Sequence, residues 1–421
     1  MTSLLLLLFL ALPEAPANEP LAVDPITARE MAAHIRFLAS DELGGRYGGD
    51  PGAEIAALYL AAEFEKLGLE PAGDRGRDGG SYLQRFPLRS RRRSAEGEAP
   101  QAERSTVNVL GLLRGGDQQL AEQIVVVGGH FDHVGTRDGE VYNGADDNAS
   151  GTSGVLEIAE ALATRPSPLR RSVLFILFGA EEQGLIGSSH WVSNPTKPLE
   201  NVVAMVNLDM IGRNDPGEVS ILAASAELET FAVARAAAFE LRKGTEPAFY
   251  LQASDSAPFV GREIPTVFLF TGIHEDYHRG TDTADRIDAA KAARVAQLAH
   301  DIVFFVAQGD KRPTFTAPAM ERRPRPTAKR LGIGIGEVKD GVVVAGVTEG
   351  GVAARAGVQP KDRIIRLGEI TVTNVASLTR ALTEVKSGVE VELVVERPGT
   401  GEVTLKALWP AKTEAEKPDA D

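Results

Sequence analysis

Residues 124–133 read Ile-Val-Val-Val-Gly-Gly-His130-Phe-Asp132-His133, an apolar run that stops at two glycines and empties into histidine and aspartate. Four branched apolar residues in a row leave no polar face, so a strand here has to be covered on both sides, as interior strands of a parallel sheet are. The same arrangement recurs outward along the chain. Residues 173–178 run into Gly-Ala-Glu181-Glu182, residues 202–208 into Asp209, and residues 266–270 precede Asp276-Tyr277-His278; residues 107–113 form a further apolar run. Helical spacing separates them: residues 151–163 carry Val155, Ile158, Ala159 and Leu162 on one stripe, and 227–241 and 289–306 are likewise helical. Ahead of them, residues 26–38 are amphipathic, and residues 52–66 put Ile55, Leu58, Tyr59, Ala62 and Phe64 at near-helical spacing before Gly68. Such alternation predicts an α/β fold, a mostly parallel mixed sheet flanked by helices, with its ligands beyond the carboxyl ends of the strands.

At 421 residues the chain is too long for one ordinary core, and two folding units are expected. Residues 24–308 form the first. Residues 309–329, with four prolines and several Arg and Lys, read as an extended linker, residues 330–411 as a small β-rich unit with one helix near 375–386, and residues 412–421 as a disordered tail. Residues 71–104 read as loop around a short strand at 82–88, with Arg89-Ser-Arg-Arg-Arg93 as a solvated charge run. The apolar run Leu4 to Leu12 is too short to span a bilayer and is followed by Ala15-Pro-Ala17; residues 1–17 therefore read as a signal peptide, which places the protein in the periplasm or the medium. No later stretch is long enough to span a membrane. The net charge of −14 opposes nucleic acid as a partner, because such binding needs a basic face.

With no cysteine, a metal would have to sit on His, Asp and Glu. Those residues gather at the strand ends and in the glycine-rich turn Asn143-Gly-Ala-Asp146-Asp147-Asn148-Ala-Ser-Gly151, which opens the helix at 151. Adjacent Glu181 and Glu182 directly after an apolar strand are costly unless a cation or a function holds them. Hydrolysis at neutral pH is served by two metal ions roughly 3.5–4 Å apart, which acidify a shared water and polarise the scissile carbonyl, and His with carboxylate ligands suits zinc. A serine hydrolase finds no Gly-x-Ser-x-Gly elbow.

The pieces Gly129-His130-Phe-Asp132, Gly144-Ala-Asp-Asp147-Asn-Ala-Ser-Gly151, Phe178-Gly-Ala-Glu181-Glu182-Gln-Gly184, Asn207-Leu-Asp209-Met-Ile-Gly212 and Tyr277-His278, in this order, resemble the M28-type zinc aminopeptidases. Leu38-Ala-Ser-Asp-Glu-Leu-Gly-Gly-Arg46 is similar to that family's N-terminal segment. The resemblance implies the zinc-exopeptidase fold, two Zn2+ per chain and N-terminal residues of peptides as substrate. It implies His130 and Asp209 on one zinc, Glu182 and His278 on the other, and Asp147 bridging both through a cis peptide to Asn148. The bridging role could fall on the adjacent Asp146 instead, and the Asn-Ala-Ser-Gly that follows favours Asp147. Glu181 would be the general base that moves a proton from the bridging water to the leaving amine, Asp132 would fix the His130 imidazole, and Tyr277 would donate to the oxyanion. His133 and His274 match no ligand position and read as loop residues. Ser256, in Ser254-Asp255-Ser-Ala-Pro-Phe259, stands where the family has His.

Further on, Leu331-Gly-Ile-Gly-Ile-Gly336, Gly341-Val-Val-Val-Ala-Gly-Val347 and Gly351-Val-Ala-Ala-Arg-Ala-Gly357 resemble a bacterial PDZ domain, which implies a groove for a peptide C-terminus. The same peptidase fold also serves carboxypeptidases and an amide-forming cyclase. A non-catalytic scaffold acting through the PDZ-like unit is the reading from another class, and lost ligands would be its signature.

Overall fold

The computed structural model describes residues 26–76, 79–88, 104–318, 331–338, 341–348, 350–373, 375–385 and 388–409. The expected signal peptide, the arginine run at 89–93, the rest of the expected linker and the tail at 412–421 lie outside the described residues. The chain divides into two units, Met1–Ala319 and Met320–Asp421.

In the first unit, α1 (Ala28–Leu38) and α2 (Pro51–Lys66) precede β1 (Leu83–Pro87), β2 (Ser105–Leu113) and β3 (Ile124–His130). There follow α3 (Gly151–Ala163), β4 (Ser172–Phe178), α4 (Ile186–Ser193), β5 (Val202–Leu208), β6 (Glu218–Ala223), α5 (Ala226–Ala236), α6 (Ser256–Val260), β7 (Thr266–Phe270) and α7 (Ala289–Gln308). Across the sheet the order is Glu70–Pro71, β2, β4, β3, β5, β7, β6 and Arg242–Lys243, with β1 beside β2. β4, β3, β5 and β7 run parallel at the centre, while β2 and β6 are antiparallel to their central neighbours.

Successive residues of each central strand go to opposite cores. Val125, Val127, Val173, Phe175 and Val206 pack with side chains of α1, α2, α3, α5 and α7, whereas Val126, Leu174, Ile176 and Met205 pack with Trp191 of α4 and Phe259 of α6. Both registers being buried, polar residues are confined to the strand ends, such as Ser172, Asn207 and Thr266, which is why the strands read as nearly continuous apolar runs. On α2 the buried face is Ala53, Ala56, Ala57, Leu60 and Phe64; Ile55 and Leu58 of the expected stripe are 48% and 60% exposed. Small alanines let the helix lie against β2, so bulk was a poor guide to its inner face. Neither α4 nor β6 is expected from the sequence pattern, and α5 stops before the expected residue 241. Residues 309–318, expected as linker, lie along the first unit: Asp310 pairs with Arg170 at 2.7 Å, the Thr316 amide donates to the Ala224 carbonyl at 3.0 Å, and Phe315 packs on the apolar cluster of Phe268 and Phe270.

In the second unit, β8 (Ile333–Val338), β9 (Gly341–Val347), α8 (Val352–Ala356), β10 (Arg363–Leu367), α9 (Val375–Glu384), β11 (Glu390–Arg397) and β12 (Gly401–Leu408) build an antiparallel sheet in the order β8, β9, β10, β11, β12. Its core includes Leu331, Val342, Val344, Ile364, Leu378, Leu393 and Trp409. Gly332 has φ +77°, and a Cβ there would stand 3.1 Å from the Gly351 Cα, so this first glycine closes the turn against the start of α8. No helix among the described residues is long and apolar enough to cross a membrane.

Arg397 of β11 pins the turn before β10. It grips the buried Asp362 carboxylate with Nε at 2.9 Å and Nη2 at 2.8 Å, and donates to the Gly357 carbonyl at 2.9 Å. Burial pushes the Asp362 carboxyl up, but the Arg397 guanidinium and the Gln359 amide outweigh it and hold it below the ordinary carboxylate range. Its stabilisation is then full above the unfolded value of roughly 4 and is lost as pH falls through the depressed folded value. Asp362→Asn should lower the unfolding free energy of this unit at neutral pH by about 1.5–3 kcal/mol. In urea unfolding followed from pH 7 downward, the gap between the two proteins should close in acid.

Candidate metal centre

His130 is the last residue of β3, Glu181 and Glu182 lie just past β4, Asp209 follows β5, and His278 sits in the loop after β7. Ala180, Met210 and His278 have φ of +58°, +52° and +53°, so at three of these strand ends the backbone turns sharply through the left-handed region. Non-glycine residues pay for that conformation, and such residues cluster where side chains must be aimed. The fifth group, Asp147, comes from the turn Ala145–Ser150 ahead of α3, and its peptide to Asn148 is cis.

These elements bring together all five residues expected as ligands. His130 Nε2 is 3.3 Å from Asp147 Oδ1 and 3.4 Å from Asp209 Oδ1. His278 Nε2 is 3.1 Å from Asp147 Oδ2 and 3.0 Å from Glu182 Oε1. Asp147 thus turns one oxygen to each of two donor sets. Asp147 Oδ2, Glu182 Oε1, Asp209 Oδ1 and His278 Nε2 are buried without a hydrogen bond among the described residues. Buried polar atoms left in that state are costly, and a divalent cation in each set would satisfy them. Nitrogen with carboxylate donors fits zinc.

The neighbours hold these donors in place. Arg46, fully buried, donates from Nε to the Phe131 carbonyl at 2.7 Å, from Nη1 to Asn143 at 2.7 Å and from Nη2 to Gly144 at 3.0 Å, and it also reaches the Leu38 carbonyl. Burial lowers its pKa to about 10, which leaves it charged at neutral pH. Asp282 accepts the amides of Asp146 and Asp147. Asp146 points away from both donor sets: Oδ1 accepts the Gly212 amide at 2.7 Å, and Oδ2 lies 3.3 Å from His274 Nε2. His274, expected as a loop residue, is therefore buried facing Asp146. Asp276 anchors the last loop through Arg213 at 2.7 Å, Arg286 at 2.9 Å and the Thr281 hydroxyl at 2.6 Å.

Asp132 sits differently from the expectation. The His130 Nδ1 is 3.1 Å from the Asp132 carbonyl but 3.7 Å from its carboxylate, whose Oδ1 instead accepts the Glu181 amide at 3.0 Å. The side chain therefore steadies the Glu181 turn, while the main chain faces the imidazole. Burial raises Asp132 to about 7. The Tyr277 ring stacks on His278, with centroids 3.9 Å apart, and burial pushes its phenol well up. His133 is fully buried with Nδ1 2.9 Å from Glu182 Oε1, so it too stands inside the cluster rather than apart from it.

The adjacent glutamates are driven apart in acidity. Burial raises Glu181 well above the ordinary glutamate value, with Asp255 and Glu182 adding to it against His130. Burial and Asp147 also push Glu182 up, but His278 and His133 outweigh them and leave it below its ordinary value. Two carboxyls separated in this way suit two tasks, one carrying a proton and one staying anionic.

Residues 108–303 match the profile of peptidase family M28, and residues 329–406 match that of the PDZ domain. The chain is 27% identical over 258 residues to Aminopeptidase YwaD of Bacillus subtilis, covering 59% of this chain and 54% of that protein. It is 32% identical over 186 residues to Leucine aminopeptidase 2 of Trichophyton equinum, covering 40% of this chain and 34% of that protein. The chain thus spans about half or less of the length of these curated relatives. Among solved structures, an aminopeptidase from Aneurinibacillus sp. strain AM-1 aligns with TM-score 0.55 at 18% identity, over 69% of this chain and 97% of that one. The zinc aminopeptidase BSAP from Bacillus subtilis aligns with TM-score 0.51 at 19% identity, over 69% and 98%. At such identities these structures share the fold.

Arg46→Met should cost about 3 kcal/mol or more in thermal or urea unfolding, because several carbonyls lose a charged donor in the interior. Arg46→Lys should not restore it, since one ammonium cannot span the fork that reaches Phe131, Asn143 and Gly144.

Proposed function

We propose that this chain, in which a domain of peptidase family M28 is followed by a PDZ domain, is a two-zinc aminopeptidase that removes N-terminal residues from peptides. The observation that carries the reading is the Asp147 carboxylate, with Oδ1 3.3 Å from His130 and Oδ2 3.1 Å from His278. A carboxylate so shared suits two adjacent ions, with His130 and Asp209 on one side and Glu182 and His278 on the other. Bound there, two zinc ions would supply Lewis acidity and an acidified water for amide hydrolysis.

The chain's own groups account for the remaining steps. Glu181 has an acidity suited to taking a proton from the attacking water and handing it to the leaving amine. The Asp132 carboxylate, on the Glu181 amide, fixes the turn from which that carboxylate reaches. The Tyr277 phenol, kept protonated by burial, is the donor to the developing oxyanion. Export through the leader at 1–17, the linker and tail boundaries, and a peptide C-terminus in the PDZ groove belong to the same proposal.

Purified full chain should cleave aminoacyl anilides with a free amine and spare their N-acetylated counterparts. Chelation should abolish this and zinc restore it. Glu181→Gln should lower kcat by a factor of ~10²–10⁴ with zinc content unchanged. Cleavage of the acetylated substrates instead would shift the reading to another amide hydrolase of this fold.

A further inference from the structure

The two donor sets around Asp147 differ in number. Beside Asp147 Oδ1, one set has His130 and Asp209; beside Asp147 Oδ2, the other has Glu182, His278 and also His133. We infer that His133 is a fourth protein ligand at the Glu182–His278 metal position, an assignment that rests on the two-metal reading above.

Three observations support it. First, the spacing fits a single ion: His133 Nδ1 is 2.9 Å from Glu182 Oε1 and 3.8 Å from Asp147 Oδ2, and His278 Nε2 is 3.0 Å and 3.1 Å from the same two atoms. With zinc bonds of roughly 2.0–2.1 Å the edges of a tetrahedron are roughly 3.4 Å. All four donor atoms lie within 4.8 Å of one another. Second, neither nitrogen of this fully buried ring has a hydrogen bond among the described residues. An imidazole kept dry and unpaired is costly, and a cation on its lone pair removes the cost at Nδ1. Third, the ring is given its place by the backbone opposite. Gly144 has φ +58°, and a Cβ there would lie 2.4 Å from the His133 Cγ, so the glycine that begins the Asp147 turn is also what makes room for the ring.

The consequence is asymmetry between the ions. Four protein donors complete a tetrahedral zinc, whereas three leave a position open. The ion of Asp147, Glu182, His278 and His133 is held by protein alone, and the ion of His130, Asp147 and Asp209 is the one with a free position for water or a substrate carbonyl. The first binds tightly and exchanges slowly, and the second exchanges.

Zinc X-ray absorption on the full chain, stripped and then loaded with one equivalent, tests this without reference to turnover. Two imidazoles on the single tight zinc, falling to one in His133→Ala, are expected. In competition with a chromogenic chelator, His133→Ala should weaken the tighter ion by more than the ~10–100-fold that loss of an outer hydrogen-bond partner produces, and leave the weaker ion unchanged. One imidazole at one equivalent in the unaltered chain, with both ions still bound and peptides still cleaved, overturns the assignment and leaves the aminopeptidase reading standing. A chain that binds no zinc overturns both. The count in the unaltered chain does not depend on whether the variant folds.

Discussion

Asp282 accepts the amides of Asp146 and Asp147 at 3.0 and 3.1 Å, while the Arg46 guanidinium takes the carbonyls of Asn143 and Gly144, so a turn of a few residues is gripped by an anion at one end and a cation at the other. Asn148 completes the grip. Its side chain donates to the Leu208 carbonyl at 3.0 Å and accepts the Met210 amide at 3.2 Å, which ties the turn to the end of β5 and therefore to Asp209. Through these bonds the central carboxylate is referred to three separate pieces of backbone. The sheet delivers the outer donors and the gripped turn sets their centre, so a loss on either side would spread the donor atoms beyond what one ion can span.

The fold was legible wherever burial erased choice. The four parallel strands at the centre have both faces covered, and such strands announce themselves by runs of apolar residues with polar ones only at their ends. Where polar or small residues interrupt the run the signal fades: β6, with Ser220 buried among its apolar residues, and α4, a short helix entered through left-handed Leu185, carry no strong pattern. On α2 the expected stripe followed large residues, whereas close packing against β2 selected alanines.

At the site, the five residues expected as ligands stand out as candidates because each closes or follows an apolar run or lies in the glycine-rich turn or the loop after the last run. The residues that aim them were not. Arg46 and Asp282 lie about a hundred residues or more along the chain from the turn they hold, and a single arginine or aspartate has no periodicity to betray it. His133 fits no expected ligand position in the sequence; its burial, and the room left for it by Gly144, are facts of three dimensions. Asp132 shows a subtler limit: its neighbourhood was right, but main chain and side chain divide between His130 and Glu181 the contacts that sequence assigned to one group.

The orphaned atoms of Asp147, Glu182, Asp209 and His278 also bear on how long the molecule lasts. Ligand that binds only the folded state adds RT ln(1 + [L]/Kd) to stability, about 2.7 kcal/mol at a hundredfold excess over Kd. A site that leaves several buried anions uncompensated without cations makes that supplement a sizeable part of a marginal total. The lifetime of such a protein would therefore follow the free zinc of its surroundings, and scarcity would remove copies by unfolding and proteolysis before it merely idled them.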